Sequence, residues 1–191
     1  MQNDVSMTSS SCAICGAKVT PAPRRSCYRC IFCGFKQQPA TSEASSAPYQ
    51  ALLTSFKDLP ALSALQKTPT IALHGLDPAA IGTLPSVGNV AFTALVAETR
   101  DNAAIWADMV LPYVPDLSAF FREKFDQLRP GGLLYLSAPV QRPFLRSSPL
   151  PGQINFFQPK NIMFLLEQRG FKMAWRKNRL SPTLRIIARR D

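Results

Sequence analysis

The chain opens without an apolar run. Met1 to Ser11 is polar with no hydrophobic stretch, and the first hydrophobic periodicity comes at Tyr49 to Leu65. There Leu52, Leu53, Phe56, Leu59 and Leu62 recur at helical spacing and predict a helix. Thr70 to Leu76 is apolar on both faces and predicts a buried strand that ends at Asp77 and Pro78. Val90 to Val96 predicts a second one. Continuous apolar runs of this kind suit a parallel sheet covered on both sides. Asp116 is placed to cap a helix whose stripe is Leu117, Phe120, Phe121, Phe125 and Leu128, broken at Pro130, Gly131 and Gly132. Leu133 to Ser137 predicts a third strand. Pro159 opens a helix that Gly170 closes. Phe171 to Trp175 and Leu184 to Ala188 predict a closing antiparallel hairpin. Strands alternating with helices imply an α/β domain with right-handed crossovers.

The five cysteines change this picture, because all of them lie between positions 12 and 33. Cys12-x-x-Cys15-Gly16 and Cys30-x-x-Cys33-Gly34 are two knuckles separated by a stretch long enough for a short hairpin. Each pair turns two sulfurs toward one point, and the glycine after it permits the tight turn that aims backbone N–H groups at sulfur. Four thiolates with no open position make a closed, structural zinc site. Cys27 is a spare thiol or a substitute ligand. Arg24, Arg25 and Arg29 are expected to lower the thiolate pKa values. Cysteines confined to one such cluster argue against a disulfide framework and for a reducing compartment. The expected organisation is a zinc ribbon over 1–36, a linker over 37–48 rich in small polar residues, and an α/β domain over 49–191.

Charge adds one asymmetry. The net charge is +10, and residues 120–191 hold fourteen Lys/Arg against four Asp/Glu, so the excess sits there. A basic surface attracts an acidic partner or nucleic acid, and solvated surface charge accounts for the same pattern. No apolar run approaches the roughly 20 residues of a membrane span. The polar start reads as no secretory signal, so cytoplasmic residence is expected. Candidate catalysts are few. His74, the single histidine, sits in an apolar run and reads as a packed side chain. Asp101, Asp108 and Asp116 read as loop and cap residues, and Trp106 and Trp175 as packing or interface residues.

The stretch Leu128 to Pro139 resembles the approach to, and body of, the fifth strand of class I S-adenosylmethionine-dependent methyltransferases. Val110 to Asp116 is similar to the segment after their fourth strand. Gly152 to Lys160, with Leu165, Leu166, Gly170 and Phe171, resembles their late loop and helix. A zinc ribbon ahead of such a domain also occurs in that family. The resemblance implies a reduced Rossmann-like sheet with flanking helices behind a small N-terminal ribbon. The departures bear on function. No Gly-x-Gly-x-Gly turn occurs to admit the cofactor. Asp77 stands either for the acidic residue that holds the ribose or for a turn-forming Asp-Pro. Met109, Pro112 and Tyr113 replace polar groups of the family pattern. Three functions remain in view: a non-catalytic, zinc-bearing subunit that binds another protein; a divergent, active methyltransferase using S-adenosylmethionine; and a nucleic-acid-binding ribbon protein.

Overall fold

The structure, a computed structural model, describes residues 11–21, 27–38, 63–76, 78–84, 88–144, 148–177 and 181–191. The expected linker beyond residue 38, most of the helix expected from Tyr49, and Asp77 lie outside the described residues. In chain order the elements begin with three two-residue strands, β1 (Thr20–Pro21), β2 (Tyr28–Arg29) and β3 (Lys36–Gln37). The α/β part follows with α1 (Ser63–Gln66), β4 (Thr70–Leu73), α2 (Pro78–Ile81), β5 (Ala91–Ala94) and β6 (Asn102–Asp108). A 3-10 turn (Leu111–Tyr113) leads to α3 (Leu117–Gln127) and β7 (Leu128–Pro139). Last come β8 (Asn155–Phe156), α4 (Pro159–Gln168), β9 (Phe171–Arg176) and β10 (Thr183–Arg190). No described helix is long and apolar enough to cross a membrane.

The main sheet has the order β5-β4-β6-β7-β10-β9. Its first four strands are parallel, and β10 and β9 close it as the antiparallel hairpin the sequence predicts. Side chains alternate between its faces as a strand's period of two requires. Ile105, Ala107, Leu134, Leu136 and Ile186 join one buried cluster. Ala104, Trp106, Tyr135 and Ile187 join the other. Trp106 and Tyr135 are opposite one another in register, and their rings stack at 3.7 Å. The first cluster includes Phe120 and Phe121 of α3 and Ile162 and Leu165 of α4.

Several sequence expectations shift. β6 is a central parallel strand that hydrophobic pattern alone does not announce, so Asp108 is a buried strand residue rather than a loop or cap residue. β5 is the sheet's edge, half-exposed along its length, because only β4 flanks it. Leu128 leaves the α3 stripe: it is extended, fully buried, and begins β7. Asp116 does cap α3, accepting from the Ala119 N–H at 2.9 Å.

The cysteine segment does not stand apart from this sheet. β1, β2 and β3 pair antiparallel, and β3 continues onto β8, Lys36 opposite Phe156 and Gln37 opposite Asn155. Gln37, placed at the head of the expected linker, is therefore strand, and its side-chain amide donates to the Pro115 carbonyl. Cys12, Ile14, Cys30 and Phe35 belong to the same buried cluster as α3 and α4. Phe35 and Phe157 meet with ring centres 5.4 Å apart. Phe157→Ala should therefore loosen the cysteine segment and the sheet together, at about 3–5 kcal/mol. Denaturant unfolding should show one lowered transition; a lowered ribbon transition beside an unchanged main one would contradict the shared core.

Candidate functional site

Two places concentrate chemistry: the four-cysteine cluster and the carboxyl edge of the parallel strands. The two knuckles are built alike. In the first, the Cys12 N–H donates to the Ala17 carbonyl and the Gly16 N–H to the Cys12 carbonyl. In the second, the Cys30 N–H donates to Phe35 and the Gly34 N–H to Cys30. Gly16 (φ +70°) and Gly34 (φ +74°) take the left-handed turn that returns the chain. A side chain at Gly34 would also strike Gln158, whose amide lies 2.5 Å from the position of its Cβ. The Ile14 N–H points at Cys12 Sγ from 3.4 Å.

Cys12, Cys15, Cys30 and Cys33 converge, all four sulfurs lying within 4.8 Å of one another. Cys12 Sγ and Cys33 Sγ are 3.6 Å apart, as are Cys15 Sγ and Cys30 Sγ. Sulfurs bound tetrahedrally to zinc at about 2.3 Å stand about 3.8 Å apart, so the cluster fits that ion. Cys27 is half-buried and not part of the cluster. Arg24 and Arg25, expected to lower the thiol pKa values, lie outside the described residues, and Arg29 is not among the causes of the shifts at Cys12, Cys30 and Cys33. Burial pushes the Cys12 and Cys33 thiols up. At Cys30 burial also opposes the thiolate, but N–H groups of Cys33 and Phe32 and the Cys15 thiol bring it down to about 7. Four thiols crowded in this way can all be ionised when a cation neutralises them.

The cluster is braced from the sheet side. Asn161, in the first turn of α4 and almost wholly buried, donates from Nδ2 to the Cys33 carbonyl at 3.0 Å and accepts the Gln158 N–H at 2.7 Å. Asn155 of β8 donates to the carbonyls of Leu111 and Val114. The segment that carries the family resemblance is thus a strut between the ribbon and the turn after β6. Sequence reading gave it no such role; an asparagine beside paired aromatics was the available signal.

The carboxyl edge is where ligands bind in open α/β sheets, at the point where neighbouring strands lead off in opposite directions. Here that point lies between β4 and β6, since β4 connects to β5 on one side while β6 leads to β7 on the other. His74 follows β4 directly, and its N–H donates to the Trp106 carbonyl. Its ring meets Phe120 edge-on, centres 5.5 Å apart. Gly75 comes next with φ +76° and open space around its Cα. Beneath Phe120, fully covered, Lys124 donates to Glu123 at 2.6 Å and Gln127 at 2.8 Å, with its ammonium 5.5 Å from the Phe120 ring centre. Gln127 in turn donates to the Ala97 carbonyl beyond β5. Burial, then the nearby Lys124 charge, depresses the His74 pKa to about 4. Burial likewise lowers Lys124.

At the end of β6, Ser137 donates a short hydrogen bond to the buried Asp108 carboxylate. The Met109 N–H reaches both the Ser137 carbonyl and its hydroxyl at 3.1 Å. Met109 has φ 53°, a left-handed conformation uncommon outside glycine. The Tyr113 hydroxyl is buried with no hydrogen-bond partner among the described residues, and burial raises its pKa. The structure brings His74, Met109 and Tyr113 to this edge or the turn after it. It does not bring the sulfur cluster there.

No family model matches the chain, and no curated protein sequence does. Solved structures do share its fold, that of class I S-adenosylmethionine-dependent methyltransferases. A Mesorhizobium loti S-adenosylmethionine-dependent methyltransferase matches over 72% of this chain and 100% of its own, with 16% identity and a TM-score of 0.50. A chain from the complex between the Haloferax volcanii Trm112 methyltransferase activator and the putative methyltransferase matches over 75% and 99%, with 12% identity and a TM-score of 0.50. The [4+2]-cyclase SpnF matches over 85% and 87%, with 14% identity and a TM-score of 0.52. A Rossmann-like sheet bearing a four-cysteine cluster compatible with a zinc ribbon is therefore the class of protein that fold and site define.

The His74 environment sets a pH dependence. Above pH 6.5 the imidazole is neutral in both folded and unfolded chains. As pH falls from about 6.5 to about 4, the unfolded chain takes up a proton that the folded one refuses. Stability is lost across that window, by no more than about 3 kcal/mol. His74→Gln should flatten the difference between unfolding free energies measured at pH 7 and pH 4.5. An unchanged slope would place His74 in a solvated site.

Proposed function

We propose that the chain is a non-catalytic member of the methyltransferase-like fold, a zinc-bearing subunit that binds another protein. The carrying observation is the edge-to-face packing of His74 on Phe120 at the β4 end of the sheet's switch point. A cofactor bound at such a point needs close approach to backbone, which glycines permit and bulky side chains obstruct. Phe120 is held in turn over the buried Lys124, whose ammonium lies 5.5 Å from its ring centre and pairs with Glu123 and Gln127. These residues do not fit S-adenosylmethionine as that cofactor. One structural neighbour comes from a complex with a methyltransferase activator, so the fold takes a protein partner in that instance.

Zinc, in this reading, is held by Cys12, Cys15, Cys30 and Cys33 and is structural, because four protein sulfurs leave no open position for a reacting group. Purified protein should contain one zinc per chain by elemental analysis, and Cys15→Ser should lose it. Chelation should lower the melting temperature of the whole chain, because two of the sulfurs lie in the main core. Stoichiometric zinc in Cys15→Ser would refute this ligand set.

A specific observation favours the second reading, a divergent active methyltransferase. Left-handed backbone at a residue such as Met109 tends to mark functional sites, and it lies at the strand end where a ligand would be bound. Titration calorimetry with S-adenosylmethionine decides between the two. No heat of binding up to millimolar cofactor is expected, whereas micromolar affinity would establish the second reading.

A further inference from the structure

Beside the metal cluster the surface is apolar in a way that packing does not explain. Ile31 and Phe32, the two residues between Cys30 and Cys33, are 73% and 70% exposed, and Phe144 is 96% exposed. Burying one such side chain is worth about 1.5–3 kcal/mol, so several together mark a surface with an occupant. Two grooves run past Phe32 and Phe144. One, of about 230 Å³, is lined by Ile14, Phe32, Lys160 and Phe164 together with the backs of Cys15 and Cys33. The other, of about 550 Å³, is lined by Arg142, Phe144, Gln158, Pro159 and Lys160. Lys160 belongs to both, so they form one surface along the first turn of α4. Among the described residues Arg142 and Lys160 are its fixed charges, both positive, and no described carboxylate lines either groove. Glu167 lies two turns along α4 from Lys160, outside both.

The geometry points to this surface as the docking site for a segment of a partner protein in which acidic side chains alternate with large apolar ones. The apolar anchors fill the Phe32–Phe164 groove and the Phe144 groove, and a carboxylate between them meets Lys160 and Arg142. Charge complementarity selects the sign of the partner, and the apolar lining selects protein over nucleic acid. A nucleic-acid surface draws its affinity from many phosphate contacts, and two cations among aromatic and proline side chains supply few. The inference rests on the reading of the chain as a protein-binding subunit and names the site and chemistry of that binding.

The test uses the full zinc-loaded chain and a fluorescein-labelled dodecapeptide alternating glutamate with phenylalanine and leucine. Fluorescence anisotropy should show saturable binding, and a matched peptide with lysine in place of glutamate should bind at least about tenfold more weakly. Phe32→Ser combined with Phe164→Ser should weaken the acidic peptide at least about tenfold, with zinc content and melting temperature unchanged. Lys160→Glu should reverse the preference between the two peptides. Equal affinity for both peptides, or affinity unmoved in these variants, would overturn the proposal. So would a single-stranded RNA or DNA oligonucleotide that displaces the acidic peptide and binds more tightly than it. Sedimentation showing a dimer that the double variant dissolves would also overturn it, by assigning the surface to a second copy of the chain. Cofactor binding by calorimetry leaves these readouts untouched, so failure of the non-catalytic reading and failure of this site are separately visible.

Discussion

Four sulfurs drawn toward a single point constrain much of the molecule. Cys12 and Cys30 are buried within the same cluster as the aromatic side chains of α3 and the aliphatic ones of α4. The three ribbon strands are two residues long, too short to sustain a sheet by themselves. They persist because β3 pairs with β8 and because Phe35 packs on Phe157. The dependence runs both ways: Asn161 begins α4 and holds the Cys33 carbonyl, so helix and knuckle are positioned by one side chain. Burial makes the Cys12 and Cys33 thiolates costly, a cost that a metal ion held by the four sulfurs would offset.

The second constraint is electrostatic and lies at the other functional edge. A fully covered ammonium is tolerable only with partners, and Lys124 has Glu123, Gln127 and the face of Phe120. Satisfying it ties down the middle of α3 one turn from Phe120, whose ring meets His74 edge-on just beyond β4. On the β6 side, Ser137 holds both Asp108 and the strained Met109. The edge is thus packed on one side and strained on the other. The His74–Phe120 contact is the feature the proposed non-catalytic role uses, and the left-handed Met109 is the one a catalytic role would use.

A methyltransferase-like sheet does not settle the chemistry. Among the structural neighbours, one is described as a methyltransferase, one comes from an activator complex, and one is a [4+2]-cyclase. The fold is a platform, and function follows from what stands at its edges and on its surface. In this chain the surface beside the four-cysteine cluster carries exposed aromatics and the cations Arg142 and Lys160, whereas the carboxyl edge carries the His74–Phe120 contact and the left-handed Met109.

The sequence by itself determined the features that local chemistry dictates. The knuckle spacing predicted the sulfur cluster, since two Cys-x-x-Cys-Gly turns can converge in few ways. Asp116 and the phenylalanine stripe predicted α3, and the closing hairpin was legible because its strands are close in the chain. Tertiary structure decided the rest. β6 became a central strand although alanines fill much of it, because small residues suffice when neighbours cover both faces. Asp108 became buried for the same reason. The seating of the ribbon on β8, and of His74 under Phe120, joins residues far apart in the chain. Such contacts come from backbone pairing and packing after collapse, and no periodicity along the chain records them.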